Sequence, residues 1–235
     1  MINELRQKNG YWQKPHKDGK ILEEKEKPLW YEVNKEALLQ YQWEAEDELL
    51  EAEPVVKWLE QKHGVKEQTI KDCGIGLDSD KNAVCFPIYS LLLDGQLVGF
   101  EYRQIGEQKK IWRTPHCPSG IACVWGRMNA EKVIICEGYL DSYCFKQILD
   151  RQGIANNYLI LSPINGVSDI LKHLDKIDFS RFKTCYLLVD NDEAGNKATD
   201  EILEQYPFFI DKREVLRRNN VKDIKDYWRL KYTKN

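Results

Sequence analysis

The chain has 235 residues and a formal net charge of −3, with 42% hydrophobic residues, 31% charged residues and a mean hydropathy of −0.60. This balance excludes an integral membrane protein and an intrinsically disordered chain, because both need far more skewed compositions. The length predicts one or two domains. Residues 1–20 lack the apolar core of a secretory signal, and none of the seven cysteines forms a CxxC pair. We therefore expect a reduced, cytoplasmic location and no membrane partner.

Charge is distributed unevenly along the chain. Residues 44–53 hold six acidic side chains, whereas residues 212–235 hold nine Lys or Arg against three acids. Such an asymmetry is typical of a polyanion partner, but a solvated basic tail fits the same charges equally well.

The N-terminal half divides into an arm, a helical segment and a β-rich segment. Residues 1–34 are assigned to a loose arm, because the first 30 are rich in Lys, Glu, Gln, Gly and Pro and show little periodicity. Helices are predicted over residues 35–50, 54–63 and 65–73, with Gly64 as a stop signal. Strands are predicted over residues 83–90 and 96–105, joined by an Asp94-Gly95 turn, and over residues 109–113.

From Glu131 onward, strands and helices alternate. Short apolar runs predict buried strands at residues 132–136, 158–162 and 184–189, with residues 214–216 ending a fourth, and helices are predicted at residues 141–151, 168–174, 195–205 and 222–230. This alternation predicts a parallel sheet with both faces covered. The fold class is therefore α/β, or α+β overall. A parallel sheet flanked by helices, with a basic C-terminal helix, occupies residues 129–235, and a small helical and basic β-rich region precedes it in residues 35–128.

Acidic side chains follow two of the predicted parallel strands. Glu137 and Asp141 come after residues 132–136, and Asp190 and Asp192 come after residues 184–189. Ligands of open parallel sheets bind beyond the carboxyl ends of the strands. If the two strands are neighbours, four carboxylates repel one another in a small volume, and a Mg²⁺ ion resolves this. The alternative is that Asp190 and Asp192 cap the next helix, but acids on two strand ends favour the metal site.

The segment Glu137-Gly-Tyr-Leu-Asp141, followed by Asp190-Asn-Asp192-Glu-Ala-Gly195, resembles the TOPRIM domain of topoisomerases and bacterial primases. The form is most similar to DnaG-type primases and the primase half of phage primase-helicases, over about residues 130–232. Residues 222–226 are similar to a late acidic motif of these primases, although Asp223 fits a helix N-cap equally well. The resemblance implies catalytic roles for Glu137, Asp190 and Asp192, and Mg²⁺ or Mn²⁺ ligation by Glu137, Asp141, Asp190, Asp192 and Asp223.

The resemblance extends upstream of the acidic motifs. Pro54-Val-Val-Lys-Trp-Leu-Glu is similar to the helical lead-in of the DnaG catalytic core, and residues 94–103 are similar to its basic β-rich subdomain. Residues 101–132 hold six Lys or Arg against three acids, with Tyr102, Trp112 and Trp125 interleaved. Cations supply phosphate contacts and rings supply stacking platforms, although core aromatics in an ordinary half-exposed sheet give the same pattern. The predicted nucleic-acid contacts are Arg103, Lys109, Lys110 and Arg113.

These features predict a DnaG-like primase core that makes short RNA primers on single-stranded DNA by Mg²⁺-dependent nucleotidyl transfer. The resemblance implies NTPs as substrates, a replicative helicase or other replication protein as partner, and a phage, plasmid or other mobile element as source. A Mg²⁺-dependent TOPRIM nuclease and a non-catalytic, primase-like nucleic-acid-binding or regulatory protein are the alternatives. DnaG-type primases usually begin with a zinc module, but no four Cys/His ligands lie at zinc-ribbon spacing. We therefore expect no zinc, with His116, Cys117 and Cys123 as the nearest candidate cluster.

Overall fold

The computed structural model describes residues 30–107, 110–127 and 129–232. Two predictions therefore lie outside the described residues: most of the N-terminal arm, residues 1–34, and the nucleic-acid contact by Lys109. The helical lead-in consists of α1 (Trp30–Val33), α2 (Lys35–Glu51), α3 (Glu53–Trp58) and α4 (Glu67–Cys73). A π-helical turn, Leu59–His63, continues α3 and ends at Gly64, whose φ of +74° is the left-handed conformation expected of a glycine stop. The three predicted helices are thus confirmed.

One sheet holds nine strands of the described chain. They are β1 (Gly76–Asp78), β2 (Ala83–Ser90), β3 (Gln96–Gln104), β4 (Ile111–Arg113), β5 (Ile121–Trp125), β6 (Lys132–Cys136), β7 (Tyr158–Pro163), β8 (Thr184–Leu188) and β9 (Phe209–Asp211). Their order is β4-β3-β2-β5-β7-β6-β8-β9, and β1 pairs with β2. The first five strands pair antiparallel, whereas β7, β6, β8 and β9 pair in parallel.

The antiparallel and parallel halves are joined inside the sheet. Strand β5 pairs antiparallel with β2 on one side and with β7 on the other. The sequence predicts a domain boundary near residue 128. Strands from both sides of that position nevertheless pair in one sheet. The boundary stays a prediction, but this pairing places the basic strands β3 and β4 on the same sheet as the strand ends that carry the acidic motifs.

Helices cover both faces of the parallel half. They are α5 (Tyr139–Arg151), α6 (Ser168–His173), α7 (Glu193–Gln205), α8 (Glu214–Asn219) and α9 (Ile224–Tyr232). Alternate residues of a strand point to opposite faces. Val133 of β6 accordingly packs in a core with Ile170 and Ile202, and its neighbour Ile134 packs in a second core with Trp228. The predicted doubly covered α/β sheet is confirmed.

The last predicted strand is wrong. Residues 214–216 belong to α8, and the fourth parallel strand is β9, which pairs with β8 from Phe209 to Asp211. Glu214 forms ion pairs with Arg217 and Arg218, three and four residues on, and this spacing supports a helix rather than a strand. The short strands β1 and β5 were not predicted from the sequence either.

Two further observations concern membrane-spanning helices and the cysteines. No helix in the described part of the chain has both the length and the apolar character needed to cross a membrane. All seven cysteines are free, and five of them are buried.

Candidate active site

The acidic motifs meet at one edge of the parallel sheet. Strands β6 and β8 are neighbours in register, with Cys136 opposite Leu188, so the residues that follow them emerge side by side. The backbone N–H of Asp190 donates a hydrogen bond to Oε2 of Glu137 at 3.0 Å, which ties the two strand ends together. The two motifs, more than 50 residues apart in sequence, therefore form one site.

Three aspartates form a compact group at this edge. One carboxylate oxygen from each of Asp141, Asp190 and Asp223 lies within 4.8 Å of the other two, the one such group of possible metal ligands found among the described residues. Carboxylate oxygens are the ligands preferred by Mg²⁺. Asp223 also accepts the Asp226 N–H at 2.6 Å, so it caps α9 while facing the group, and its role as a metal ligand stays a prediction. We call Asp141, Asp190 and Asp223 the three-aspartate group.

Asp192 lies outside the three-aspartate group and has two other partners. Its Oδ1 accepts the Gly195 N–H at 2.9 Å and caps α7, as the alternative interpretation of the sequence proposes. Its Oδ2 lies 3.0 Å from Nζ of Lys222, which is also 3.2 Å from Oδ2 of Asp190. Asp190 therefore belongs both to the three-aspartate group and to a second group with Asp192, which we call the Asp190/Asp192 subsite.

Burial and mutual repulsion perturb the acidic side chains. Burial, reinforced by the charge of Asp223, raises the pKa of Asp141 to about 7. Burial likewise raises the pKa of Glu137, where Asp190 and Asp192 add to it. The opposite holds for Asp192, since the Gly195 N–H and Lys222 lower its pKa. Carboxylates with raised pKa values carry unbalanced charge, which a divalent cation would neutralise.

Lys225 is a half-buried cation at the three-aspartate group. Its Nζ lies 3.1 Å from Oδ2 of Asp223, and its backbone N–H donates to Oδ1 of Asp141 at 3.4 Å. Burial lowers the pKa of Lys225, but the carboxylates of Asp223 and Asp141 raise it by more, so the net change is upward. The three carboxylates thus face two ammonium groups, those of Lys225 and Lys222, and Lys222 is shared with Asp192, which leaves this edge short of positive charge.

An arginine pair lies on the antiparallel part of the sheet. Glu101 of β3 is 3% exposed, and its carboxylate accepts from Nε of Arg103 at 3.0 Å and from Nη2 of Arg113 at 2.8 Å. Glu101 and Arg103 are two residues apart on one strand, and Arg113 of β4 lies directly opposite Glu101, so all three share one face. Arg113 also donates to Oδ1 of Asn165, just beyond the carboxyl end of β7.

One cation of the arginine pair and one cation of the acidic edge both act on His63. The pKa of His63 falls to about 4 because of its burial and the charges of Arg103 and Lys225. The positive charges of Arg103 and Lys225 both disfavour protonation of His63, which stays neutral at pH 7. The arginine pair and the three-aspartate group therefore lie in one region of the molecule.

Aromatic stacking platforms are less available than the sequence predicts. Tyr102 is 2% exposed and stacks on Trp112 with ring centroids 5.5 Å apart, so it belongs to the core and the prediction for it is wrong. Trp125 is half-buried beneath Lys146, whose Nζ lies 4.2 Å from the ring centroid. Lys110 is exposed, with its ammonium 5.4 Å from the Trp112 ring. Phosphate contacts by cations are therefore better supported than stacking on these rings.

The nearest zinc candidates, Cys117 and Cys123, have half-buried thiols. Burial raises the pKa of Cys117 to about 12 and that of Cys123 to about 11. Both thiols are thus held in the protonated form, whereas zinc binds the thiolate. The expectation of no zinc stays a prediction.

Four contributors to this region were missed in the sequence. They are Glu101, Asn165, Lys222 and Lys225. The two lysines flank Asp223 in the Lys-Asp-x-Lys-Asp pattern of residues 222–226, which already signalled alternating charge. Glu101 lies two residues before Arg103 on a predicted strand, and this spacing places both on one face. Asn165 carries no local signal, because its contact with Arg113 depends on the pairing of β5 with β7.

The fold is an α/β domain with an edge of carboxylates, joined to a basic antiparallel sheet. In agreement, residues 134–228 match the family model described as Toprim-like. A search of curated proteins finds no match.

Solved structures identify the wider architecture. The DnaG catalytic core matches with a TM-score of 0.58 at 17% identity, covering 84% of this chain and 76% of that one. The primase fragment of the bacteriophage T7 primase-helicase matches with a TM-score of 0.53 at 21% identity, covering 71% of this chain and 66% of that one. Bacteriophage T7 primase domains in a complex with lagging-strand polymerase, an RNA/DNA hybrid and dTTP match at 0.50 and 21% identity, covering 64% and 76%. The chain therefore has the fold of a primase catalytic core, and it spans about two thirds of the T7 fragment.

Proposed function

We propose that this protein is a primase-type nucleotidyltransferase that extends RNA on a single-stranded DNA template. The observation that carries the proposal is the three-aspartate group, whose ligand oxygens lie within 4.8 Å of one another. The Toprim-like match over residues 134–228 and the fold shared with the DnaG catalytic core support it.

The donor set suits a divalent cation. Asp141, Asp190 and Asp223 supply only carboxylate oxygens, and these three carboxylates outnumber the ammonium groups of Lys225 and Lys222 beside them. They would hold Mg²⁺ or Mn²⁺, which when bound supplies activation of a hydroxyl group and neutralisation of phosphate charge. Glu137, whose Oε2 accepts the Asp190 N–H, has a raised pKa and its other oxygen available to take up a proton at this edge.

The basic residues provide the path for nucleic acid. Arg103 and Arg113 are anchored by Glu101 yet remain 23% and 29% exposed. Lys110 is exposed just before β4, with its ammonium group over the Trp112 ring. Fixed guanidinium groups bind phosphates well because little side-chain freedom is lost on contact. T7 primase domains of the same fold are bound to an RNA/DNA hybrid and dTTP. We infer the same classes of ligand here, a nucleic-acid strand and nucleoside triphosphates, and a replication protein as partner.

The decisive experiment is a synthesis assay. The purified protein is incubated with mixed-sequence single-stranded DNA, the four NTPs and Mg²⁺ or Mn²⁺, and products are resolved by length. We expect ribonucleotide products that disappear in Asp190→Asn and persist in Asp200→Asn, an exposed aspartate of α7 that serves as the matched control.

Two other results would identify the alternatives. Strand cleavage without NTPs, lost in Asp190→Asn, would replace the primase proposal with a Toprim nuclease. DNA binding without synthesis or cleavage, unchanged when Asp141, Asp190 and Asp223 are all replaced by Asn, would identify a non-catalytic binding protein.

A further inference from the structure

The two lysines at the acidic edge differ in how firmly they are held. Lys225 is 24% exposed and lies beside Asp223, at the start of α9. Lys222 is 55% exposed, and only its end group is engaged, between Asp190 and Asp192. The main chain of Lys222 is fixed, since its carbonyl oxygen accepts the Asn191 N–H at 2.7 Å. The Lys222 side chain can therefore leave the carboxylates without any movement of the backbone.

The position of the Lys222 ammonium is that of a bridging cation. Its Nζ lies 3.2 Å from Oδ2 of Asp190 and 3.0 Å from Oδ2 of Asp192. Asp190 also belongs to the three-aspartate group, so the acidic edge consists of two subsites that share this residue. The electrostatic neighbours follow the same arrangement, with Asp190 shared: Asp223, Lys225 and Asp190 act on Asp141, whereas Asp190, Asp192 and Lys222 act on Glu137.

We propose that Lys222 is a displaceable counter-ion that keeps the Asp190/Asp192 subsite closed to a second divalent cation until a nucleotide phosphate draws its ammonium group away. This rests on the proposed function, because the phosphate is that of the nucleoside triphosphate substrate. An ammonium group and a divalent cation cannot share the space between two carboxylates, since each repels the other strongly at such distances.

The two subsites are therefore filled in order. The three-aspartate group, with its lysine held at the helix start, accepts the first cation in the nucleotide-free protein. The Asp190/Asp192 subsite accepts another only when a phosphate offers the Lys222 ammonium an alternative anionic partner. Phosphate binding and second-cation binding then strengthen each other by the same factor, because coupling between two binding sites is reciprocal.

Protonation does not relieve this competition. The hydrogen bonds that Lys222 donates to Asp192 and Asp190 raise its pKa, so the side chain stays charged around pH 7. The ammonium group leaves only by rotation of the side chain, and its high exposure gives it the room to do so. The exposure also means that solvent screens the ion pairs, so the hold on Lys222 is modest and a phosphate can compete for it.

The test counts bound Mn²⁺ by electron paramagnetic resonance in the nucleotide-free protein. For the unaltered chain we expect one tightly bound Mn²⁺, and for Lys222→Gln a second, with its affinity increased at least about tenfold because one nearby positive charge is gone. Lys222→Arg retains the charge and should bind like the unaltered protein. Lys197→Gln removes an exposed lysine of α7 that lies 3.9 Å from Glu201, and it serves as the control. Thermal melting in EDTA verifies that each variant is folded.

The outcomes separate this inference from the proposed function. If Lys222→Gln and the unaltered protein bind Mn²⁺ identically, or if the unaltered protein binds two ions with equal affinity, the counter-ion role is wrong. A second Mn²⁺ that appears in both Lys222→Gln and Lys197→Gln would also overturn it. A protein that makes no RNA but shows the Lys222-dependent Mn²⁺ count would refute the primase function and leave the counter-ion role standing.

Discussion

Replacement of Asp141 by Asn should stabilise the metal-free protein at neutral pH. The carboxyl group of Asp141 has a pKa of about 7 in the folded protein, against an ordinary value of 3.8, because it is buried and faces Asp223. Between these two values the folded state binds more protons than the unfolded state, so stability falls as pH rises. The stability present at low pH is lost progressively up to about pH 7. Asn has the same shape and no charge, so it removes this penalty.

The size of the effect follows from the pKa values. A change from 3.8 to about 7 corresponds to roughly 4 kcal/mol of unfolding free energy at pH 8. For a chain of this length, that predicts a melting temperature about 10 °C higher for Asp141→Asn in EDTA. At about pH 4, where the Asp141 carboxyl is protonated in the folded protein, the two proteins should melt together. The Lys225 N–H hydrogen bond survives the change, because the Asn side-chain oxygen accepts it equally well.

Thermal melts across this pH range, in EDTA and in excess Mg²⁺, check the reasoning. Mg²⁺ should stabilise the unaltered protein by mass action and stabilise Asp141→Asn less, since one of three carboxylate ligands is lost. Asp200→Asn makes the same chemical change on the exposed side of α7 and should follow the unaltered protein throughout. Superimposable pH profiles for Asp141→Asn and the unaltered protein in EDTA would refute the assignment of a repelled carboxylate at this position.

Three further substitutions test other parts of the structure. Arg103→Ala should weaken single-stranded DNA binding and lower the slope of log affinity against log salt by about 0.7, measured by fluorescence anisotropy across a salt series. Gly195→Ala places a Cβ 2.0 Å from the carbonyl oxygen of Asp190, so it should displace the acidic loop and abolish Mg²⁺-dependent stabilisation in thermal melts. Lys146→Ala leaves Asp72 without its buried cation and should cost about 3 kcal/mol in urea unfolding.

Each of these substitutions has a matched comparison. An unchanged salt slope for Arg103→Ala would move the DNA path elsewhere, to the basic C-terminal residues 212–235. Gly153→Ala alters a glycine with open space around its Cβ position and should leave Mg²⁺ stabilisation intact; equal loss in both glycine variants would contradict the steric argument. Lys183→Ala breaks an exposed pair with Glu131 and should cost under about 1 kcal/mol; a similar cost for Lys146→Ala would show that burial of its ammonium group adds nothing.

The sequence predicted the parallel half of the fold well because its signals are local. Buried parallel strands are continuous apolar runs, and the helices between them begin and end at recognisable residues. Strand β6 occupies the predicted residues 132–136, and β8 ends one residue before the predicted position. Once these strands are neighbours, the placement of Glu137 and Asp190 at one edge follows from topology alone.

The elements that were missed depend on partners far along the chain. Strand β5 is defined by its pairing with β2 and β7, and no turn signal in its own five residues marks it as the join between the two halves. The same holds for side chains: Asp223 comes from a segment more than 80 residues beyond Asp141, and only the docking of α9 against α5 brings them together. Local propensity cannot supply such contacts, so the ligand set was predicted by resemblance, whereas its division into two subsites was not predicted.

The two acidic centres of this chain balance their charge in different ways, and the difference supports the proposed metal site. Glu101 meets two arginines that are both hydrogen-bonded to it, so its charge is fully compensated within the protein. The three-aspartate group has one half-buried lysine, and the nearby Lys222 is exposed and shared with Asp192. A buried carboxylate without a full complement of cations is costly and raises its own pKa, as Asp141 does. The uncompensated charge lies at the sheet edge rather than beneath the arginine pair, and this supports the proposed divalent-cation site at Asp141, Asp190 and Asp223.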